Sequence, residues 1–250
     1  MHTMSKIIAV LRFCGLIILV VAGLVAGLMS PLMTQSFHRQ FIKAWHQLVV
    51  WIVGVKTEYS GADFTDGALI VSNHVSWLDV SVLGARYPVI FLAKAEIAGW
   101  PILGYVTRKA GTLFIVRGKG SSGATESIAG ALSMNQSVVI FPEGRTTDGL
   151  DVVRFAPRLF QSAITASQPV QALGLLYHDS RGDPLTDVSY VGDLSFMQSL
   201  WKVLCVRQKS VKIHLFAPAF ELVSRDAVSK NAREQIRQWL PNSVDDGKFT

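Results

Sequence analysis

Hydrophobic positions divide the chain into an unbroken greasy start and a long tract of short alternating runs. Residues 13–33 carry no charge over 21 positions, and the apolar stretch 7–11 and the single Arg12 precede them. About 20 apolar residues in helical form span the hydrocarbon core of a bilayer. A cleaved signal peptide is the competing reading, because Lys6 and Arg12 resemble a basic leader. The run exceeds the ~7–15 residues of a leader's apolar region, and no polar segment with a small-x-small site follows, so its length favours a retained helix. Ser30-Pro31 then interrupts the pattern. In residues 37–55, Phe41, Trp45, Leu48, Val49 and Ile52 fall on one helical face, with Lys43, His46 and Gln47 on the other. Flanking Arg39 and Lys56, with Trp45 and Trp51, favour a helix at a membrane interface over an ordinary core helix. Basic residues flank the first run on both sides, so a helix that spans and one that dips in and returns both fit.

After Gly61 the periodicity changes. Residues 68–72, 89–93, 112–116, 137–141, 170–177 and 211–216 read as strands. Residues 76–84, 100–109, 124–134, 157–167 and 224–240 read as helices between or after them. This alternation predicts an α/β fold, a mostly parallel sheet flanked by helices. Residues 118–123 and 182–187 are loops by composition.

Composition narrows the class. Half of the 250 residues are hydrophobic and 17% are charged, which excludes a disordered chain. The net charge is +6, and residues 1–60 hold five basic groups (Lys6, Arg12, Arg39, Lys43, Lys56) against Glu58. The rest is nearly neutral. An even basic spread would point to nucleic acid; this asymmetry points to an anionic membrane surface instead. Two cysteines, Cys14 and Cys205, exclude a disulfide framework or a Cys-rich metal site.

Candidate chemistry begins at Asn73-His74-Val75-Ser76-Trp77-Leu78-Asp79, directly after a predicted strand. In open α/β sheets, ligands bind beyond the carboxyl ends of the strands. On a continuous helix, His74 and Asp79 would lie about 140° apart and could not touch. They can meet if the helix starts between them, with Ser76 as N-cap and Asp79 facing back over the helix start as in a capping box. An Asp on one imidazole nitrogen fixes the tautomer and frees the other nitrogen to take a proton. The alternative is a helix-capping His beside a solvated Asp. No Gly-x-Ser-x-Gly elbow offers a serine nucleophile, which weighs against an esterase. Arg117 ends another predicted strand, and six basic groups (Arg86, Lys94, Arg108, Lys109, Arg117, Lys119) against Glu96 suggest an anionic substrate. Phe141-Pro142-Glu143-Gly144-Arg145 forms a rigid turn, in which Glu143 and Arg145 either pair with each other or position a substrate.

Three segments in this order and spacing, 73–79, 111–117 and 141–145, resemble motifs one to three of the 1-acyl-sn-glycerol-3-phosphate acyltransferase family. The likeness spans roughly residues 60–180 and extends to Lys94-x-Glu96 and to residues 100–104. It implies His74 as catalytic base with Asp79 as its partner, and Arg117 on the acceptor's phosphate. It also implies Glu143 and Gly144 in the acceptor site, with Arg145 and Lys94 among the substrate-binding candidates. The family's two-helix membrane motif matches residues 7–55, so residues 1–56 are expected to form an anchor and 57–250 the acyltransferase domain. Two departures bear on the acceptor. The family's third motif usually runs Glu-Gly-Thr-Arg, whereas Arg145 here follows Gly144 at once. The fourth usually has two prolines three apart, whereas Pro169 is followed by Ala172.

The expectation is a membrane-bound enzyme that acylates a lysolipid, either lysophosphatidic acid or another such as lyso-ornithine lipid. Acyl-CoA or acyl-carrier protein would be co-substrate, with no metal, nucleotide or redox cofactor. Such thioesters are cytosolic, so the domain is expected on the cytoplasmic face of a bacterial-type inner membrane, with no nucleic-acid partner. A non-enzymatic lipid-binding protein on the same scaffold is the alternative from a different class.

Overall fold

The computed structural model describes residues 2–115 and 122–241. In chain order the elements are α1 (His2–Met29), α2 (Gln35–Val53), β1 (Val55–Gly61), β2 (Leu69–Ser72), α3 (Leu78–Gly84), β3 (Val89–Lys94), α4 (Ala95–Ala98), α5 (Leu103–Lys109) and β4 (Leu113–Ile115). Then come α6 (Ser122–Ser133), β5 (Ser137–Ile140), α7 (Gln161–Ala166), β6 (Val170–His178), α8 (Phe196–Cys205), β7 (Lys209–Leu215) and α9 (Arg225–Trp239). The strands make one seven-stranded sheet in the order β1-β7-β6-β2-β5-β3-β4. Every pairing is parallel except β6 with β7, so β1 and β7 run against the other five.

The predicted mostly parallel α/β sheet is therefore the observed one. Central strands β2, β5 and β6 are buried throughout, which explains their near-continuous apolar runs. Alternate residues face opposite layers: Ile70 packs with α1, α2, α3 and α8, whereas Leu69 and Val71 pack with α6, α7 and α9.

Three elements lie outside those the pattern predicts, the four-residue α4 among them. Edge strand β1 (VKTEYSG) is mostly exposed after its first residue and carries no apolar run to mark it. Helix α8 begins with a capping box, Ser195 and Gln198, that its sequence does contain. The helix expected over 100–109 forms only from Leu103, and the one over 157–167 starts as a 3₁₀ turn, Pro157–Phe160.

Helix α1 is long and apolar enough to cross a membrane, but it does not stand away from the rest of the chain. Ala9 and Leu19 are buried in the same core as Val49, Val53, Leu78 and Val203. Gly15, Gly23 and Gly27 let Ile52, Trp45 and Tyr105 approach closely. Arg12, which by sequence looked like a flanking charge, is instead a clamp. Its guanidinium donates to the carbonyls of Leu204 (2.9 Å), Val206 (2.7 Å) and Arg207 (3.3 Å) at the carboxyl end of α8, where orphaned carbonyls favour a cation. Gly54 closes α2 in the left-handed region (φ 75°), and a Cβ there would lie 2.5 Å from that guanidinium. The boundary drawn at 56/57 thus falls inside β1, and the helical pair shares its core with the sheet.

Candidate active site

His74 sits two residues beyond β2, and the turn that carries it begins with Asn73. The Asn73 amide replaces a backbone pair: its nitrogen donates to Leu175 O (2.9 Å) and its oxygen accepts from Leu175 N (2.8 Å). The chain can therefore leave the sheet here without orphaning the neighbouring strand. Asp79, wholly buried, is the second residue of α3. Its Oδ2 accepts from His74 Nδ1 (2.8 Å), Val75 N (2.8 Å) and Ser76 N (3.0 Å). The helix start lies between His74 and Asp79 and brings them together.

The capping box is only half formed. Asp79 does face back over the helix start, but Ser76 is not the N-cap. The residue before α3 is Trp77, and the Ser76 hydroxyl is buried without a hydrogen-bond partner. The carboxylate already takes the turn's free amides, which leaves the serine hydroxyl nothing to cap.

One member of the site is absent from the sequence reading. Tyr177, on β6, donates its hydroxyl to Asp79 Oδ1 at 2.8 Å across 98 residues of chain. Burial and the adjacent carboxylate hold the phenol well above its ordinary pKa, so it stays a donor. The only hint in sequence was a hydroxyl in a mostly apolar strand, on the same face as Leu173 and Leu175. The His74 ring lies flat on Phe141 (centroids 4.0 Å apart, planes at 14°) with its side chain 21% exposed. With Nδ1 donating to Asp79, Nε2 is the nitrogen able to accept a proton.

Glu143 follows β5, the neighbour of β2, and its carboxylate is held by backbone amides instead of pairing with Arg145. Its Oε1 accepts the His74 N–H (2.7 Å) and its Oε2 the Val153 N–H (3.2 Å). It is thus a buttress for the histidine's backbone. Burial pushes its carboxyl up from 4.5 to about 7, against the pull of those two amides, with Asp79 adding to the rise and Arg145 opposing it. Gly144 takes φ 69° to turn the chain, and Arg145 is exposed, without an ion pair among the described residues. Thr147 N donates to His74 O (2.8 Å) and Tyr190 N to Val75 O (3.0 Å), so the loop is held from several sides.

The four basic groups among the described residues do not converge. Arg86 lies over the Tyr59 ring, Arg108 donates to the Ala98 carbonyl, and Lys109 lines a cleft at the amino ends of β3 and β5. Lys94 is exposed at the carboxyl end of β3, on the His74 side of the sheet, paired in register with Ile115. Arg117 and Lys119 lie outside the described residues. β4, the last described element before them, lies three strands from β2, roughly 14 Å at ~4.8 Å per strand.

Comparison with known proteins places this geometry. Residues 55–175 match the family model described as Acyltransferase. The 1-acyl-sn-glycerol-3-phosphate acyltransferase of Neisseria gonorrhoeae is 34% identical over 197 residues, 77% of each chain. The chain belongs to the acyltransferase family. The lyso-ornithine lipid O-acyltransferase of Pseudomonas aeruginosa is 37% identical over 171 residues, 68% of this chain and 66% of that one. The crystal structure of the 1-acyl-sn-glycerophosphate acyltransferase of Thermotoga maritima shares the fold, with TM-score 0.70 and 16% identity, covering 96% of this chain and 94% of that one.

In this acyltransferase the raised Glu143 carboxyl makes a pH-dependent contribution to stability. Its folded pKa exceeds its ordinary value, so that contribution is complete below 4.5 and is lost as pH rises through about 7. The shift corresponds to about 3 kcal/mol. Glu143→Gln, which cannot ionise, should melt at a temperature less sensitive to pH between 5 and 8 than wild type. Identical pH dependence in the two proteins would show that Glu143 does not titrate in the folded chain.

Proposed function

We propose that this enzyme is a membrane-bound O-acyltransferase that transfers a fatty acyl chain from acyl-CoA or acyl-carrier protein to a lysolipid hydroxyl. The acceptor we assign first is 1-acyl-sn-glycerol-3-phosphate, giving phosphatidic acid for phospholipid synthesis. The observation that carries the reading is the His74–Asp79 pair at the carboxyl end of β2, held by Tyr177 and Glu143. His74 Nε2 takes the proton of the acceptor hydroxyl as the alkoxide attacks the thioester carbonyl. Asp79 stabilises the imidazolium. Collapse of the tetrahedral intermediate breaks the carbon–sulfur bond, and the imidazolium returns its proton to the departing thiolate. The thioester supplies the driving force, so the residues' chemistry calls for no metal or redox cofactor.

An apolar cavity of about 310 Å³ lies between the α1–α2 pair and the sheet, reaching Trp77 and Phe196 at its His74 side. We assign it to an alkyl chain. The outer face of the helical pair (Ile18, Val21, Leu28, Phe37, Trp51) is exposed and apolar, which supports seating the domain on one leaflet. A cytosolic thioester donor puts that leaflet on the cytoplasmic side of a bacterial inner membrane.

Arg117 is the residue we assign to the acceptor's phosphate, on the resemblance carried by residues 111–117, and Lys94 lies at the carboxyl end of β3 on the His74 side of the sheet. The 37% identity to the lyso-ornithine lipid enzyme, together with Arg145 directly after Gly144, supports lyso-ornithine lipid as a second acceptor. Its carboxylate would then make Arg145 the anchor. The deciding assay gives purified protein one acyl donor and both lysolipids, with Arg117→Ala and Arg145→Ala in parallel. For a phosphate acceptor, Arg117→Ala should raise KM for lysophosphatidic acid about 10–100-fold, as expected for a lost charge-assisted bond, and leave the donor KM unchanged. An unchanged acceptor KM in folded Arg117→Ala removes the phosphate assignment.

A further inference from the structure

At the end of the sheet opposite His74, a cleft of about 650 Å³ opens beside the amino-terminal half of α2, over the first residues of β3 and β5. Arg39, Lys43 and Lys109 line it, with Asp66 the acid among its lining residues. None of the three cations has an ion pair among the described residues, although Lys109 lies 5.8 Å from the Tyr105 ring centroid. The cleft adjoins the apolar cavity. Both are lined by Ile42, His46, Val89 and Lys109, so the cationic lining meets the apolar one along a common wall. His46 is buried there and burial pushes its pKa down to about 4, so the imidazole adds no charge to that wall at neutral pH.

Cations without ion pairs around a polar mouth, beside an apolar interior, are complementary to one kind of molecule. We propose that this cleft binds the oxyanion head of a single-chain anionic amphiphile, a carboxylate or a phosphate, whose tail enters the apolar cavity from the end opposite His74. The site is distinct from the acceptor site, which lies at the carboxyl ends of the strands. It rests on the reading that the cavity takes an alkyl chain, and an occupant there would compete with the acyl chain for that space.

Trp45 and Trp77 line the cavity and can report on its contents. Full-length protein in a neutral detergent is titrated at pH 7.5 with cis-parinaric acid and, separately, with its uncharged methyl ester, reading energy transfer from tryptophan. The acid should reach half-saturation at a concentration about tenfold lower than the ester. Arg39→Gln/Lys43→Gln, which leaves the residues of the apolar cavity untouched, should lose most of that preference, bind the ester as wild type does, and keep wild-type acyl transfer. Dodecyl phosphate and laurate, as competitors, separate a phosphate head from a carboxylate, and inorganic phosphate without a chain should displace nothing. Equal binding of acid and ester, or an unaltered preference in the double variant, overturns the headgroup site alone. Absence of transfer with both probes overturns alkyl occupancy of the cavity as well, while the lysolipid assay tests the catalytic reading independently.

Discussion

Acyl transfer by the His74→Ala protein should fall by about 10²–10⁴, the usual cost of removing a general base, while the fold persists. The structure argues for both halves of that outcome. Nε2 is the proton acceptor in reach of the open side of the site, and the ring is one-fifth exposed (21%). Removing it therefore leaves no closed cavity of the kind that makes core truncations costly. Asp79 keeps three of its four donors: Val75 N, Ser76 N and the Tyr177 hydroxyl. The measurements are thiol release from the acyl donor in the presence of lysolipid, and the thermal midpoint of the purified protein. Wild-type turnover by folded His74→Ala would sink the mechanism.

Asp79→Asn should cost about 10–10³-fold in kcat, for a reason that the partners of Asp79 define. Wrong-tautomer arguments apply where an amide nitrogen is forced against the histidine. Here three donors converge on Oδ2, whereas Oδ1 meets only the Tyr177 hydroxyl. An asparagine can therefore place its oxygen on the three N–H groups and its nitrogen on Tyr177, whose hydroxyl can turn to accept. Geometry and tautomer survive, and what is lost is the negative charge. The imidazolium that forms as His74 takes the proton then lacks its counter-charge, a charge-assisted hydrogen bond worth about 1.5–3 kcal/mol. Thiol release from the acyl donor measures the loss, and wild-type kcat in folded Asp79→Asn would show that Asp79 does not act through its charge. Asp79→Ala is a different experiment, since it strands two buried amides and a buried hydroxyl at about 1–3 kcal/mol each.

Local order carried much of this protein in its sequence. The uncharged run at 13–33, the amphipathic stretch behind it and the alternation after Gly61 each reflect a periodicity of 3.6 or 2 within one segment. They led to the helical pair and the mostly parallel sheet that the chain forms. The His74–Asp79 contact was readable for the same reason: it closes within five residues once a helix starts between them. Edge strand β1 was not, because a strand with one pairing edge and a solvated face need not be apolar.

Tertiary structure alone decided the rest. Tyr177 reaches Asp79 because β6 lies beside β2, and Glu143 reaches the His74 amide because β5 lies on the other side. Strand order is a property of packing between segments, and no residue spacing records it. Strand direction likewise scattered the basic cluster, sending Lys94 to the carboxyl end of the sheet and Lys109 to the amino end. Arg12 shows the same division within one residue. Its place in an apolar helix was plain in sequence, whereas its hold on the carbonyls of α8 depends on a helix some 190 residues away that must first fold and present its unpaired end.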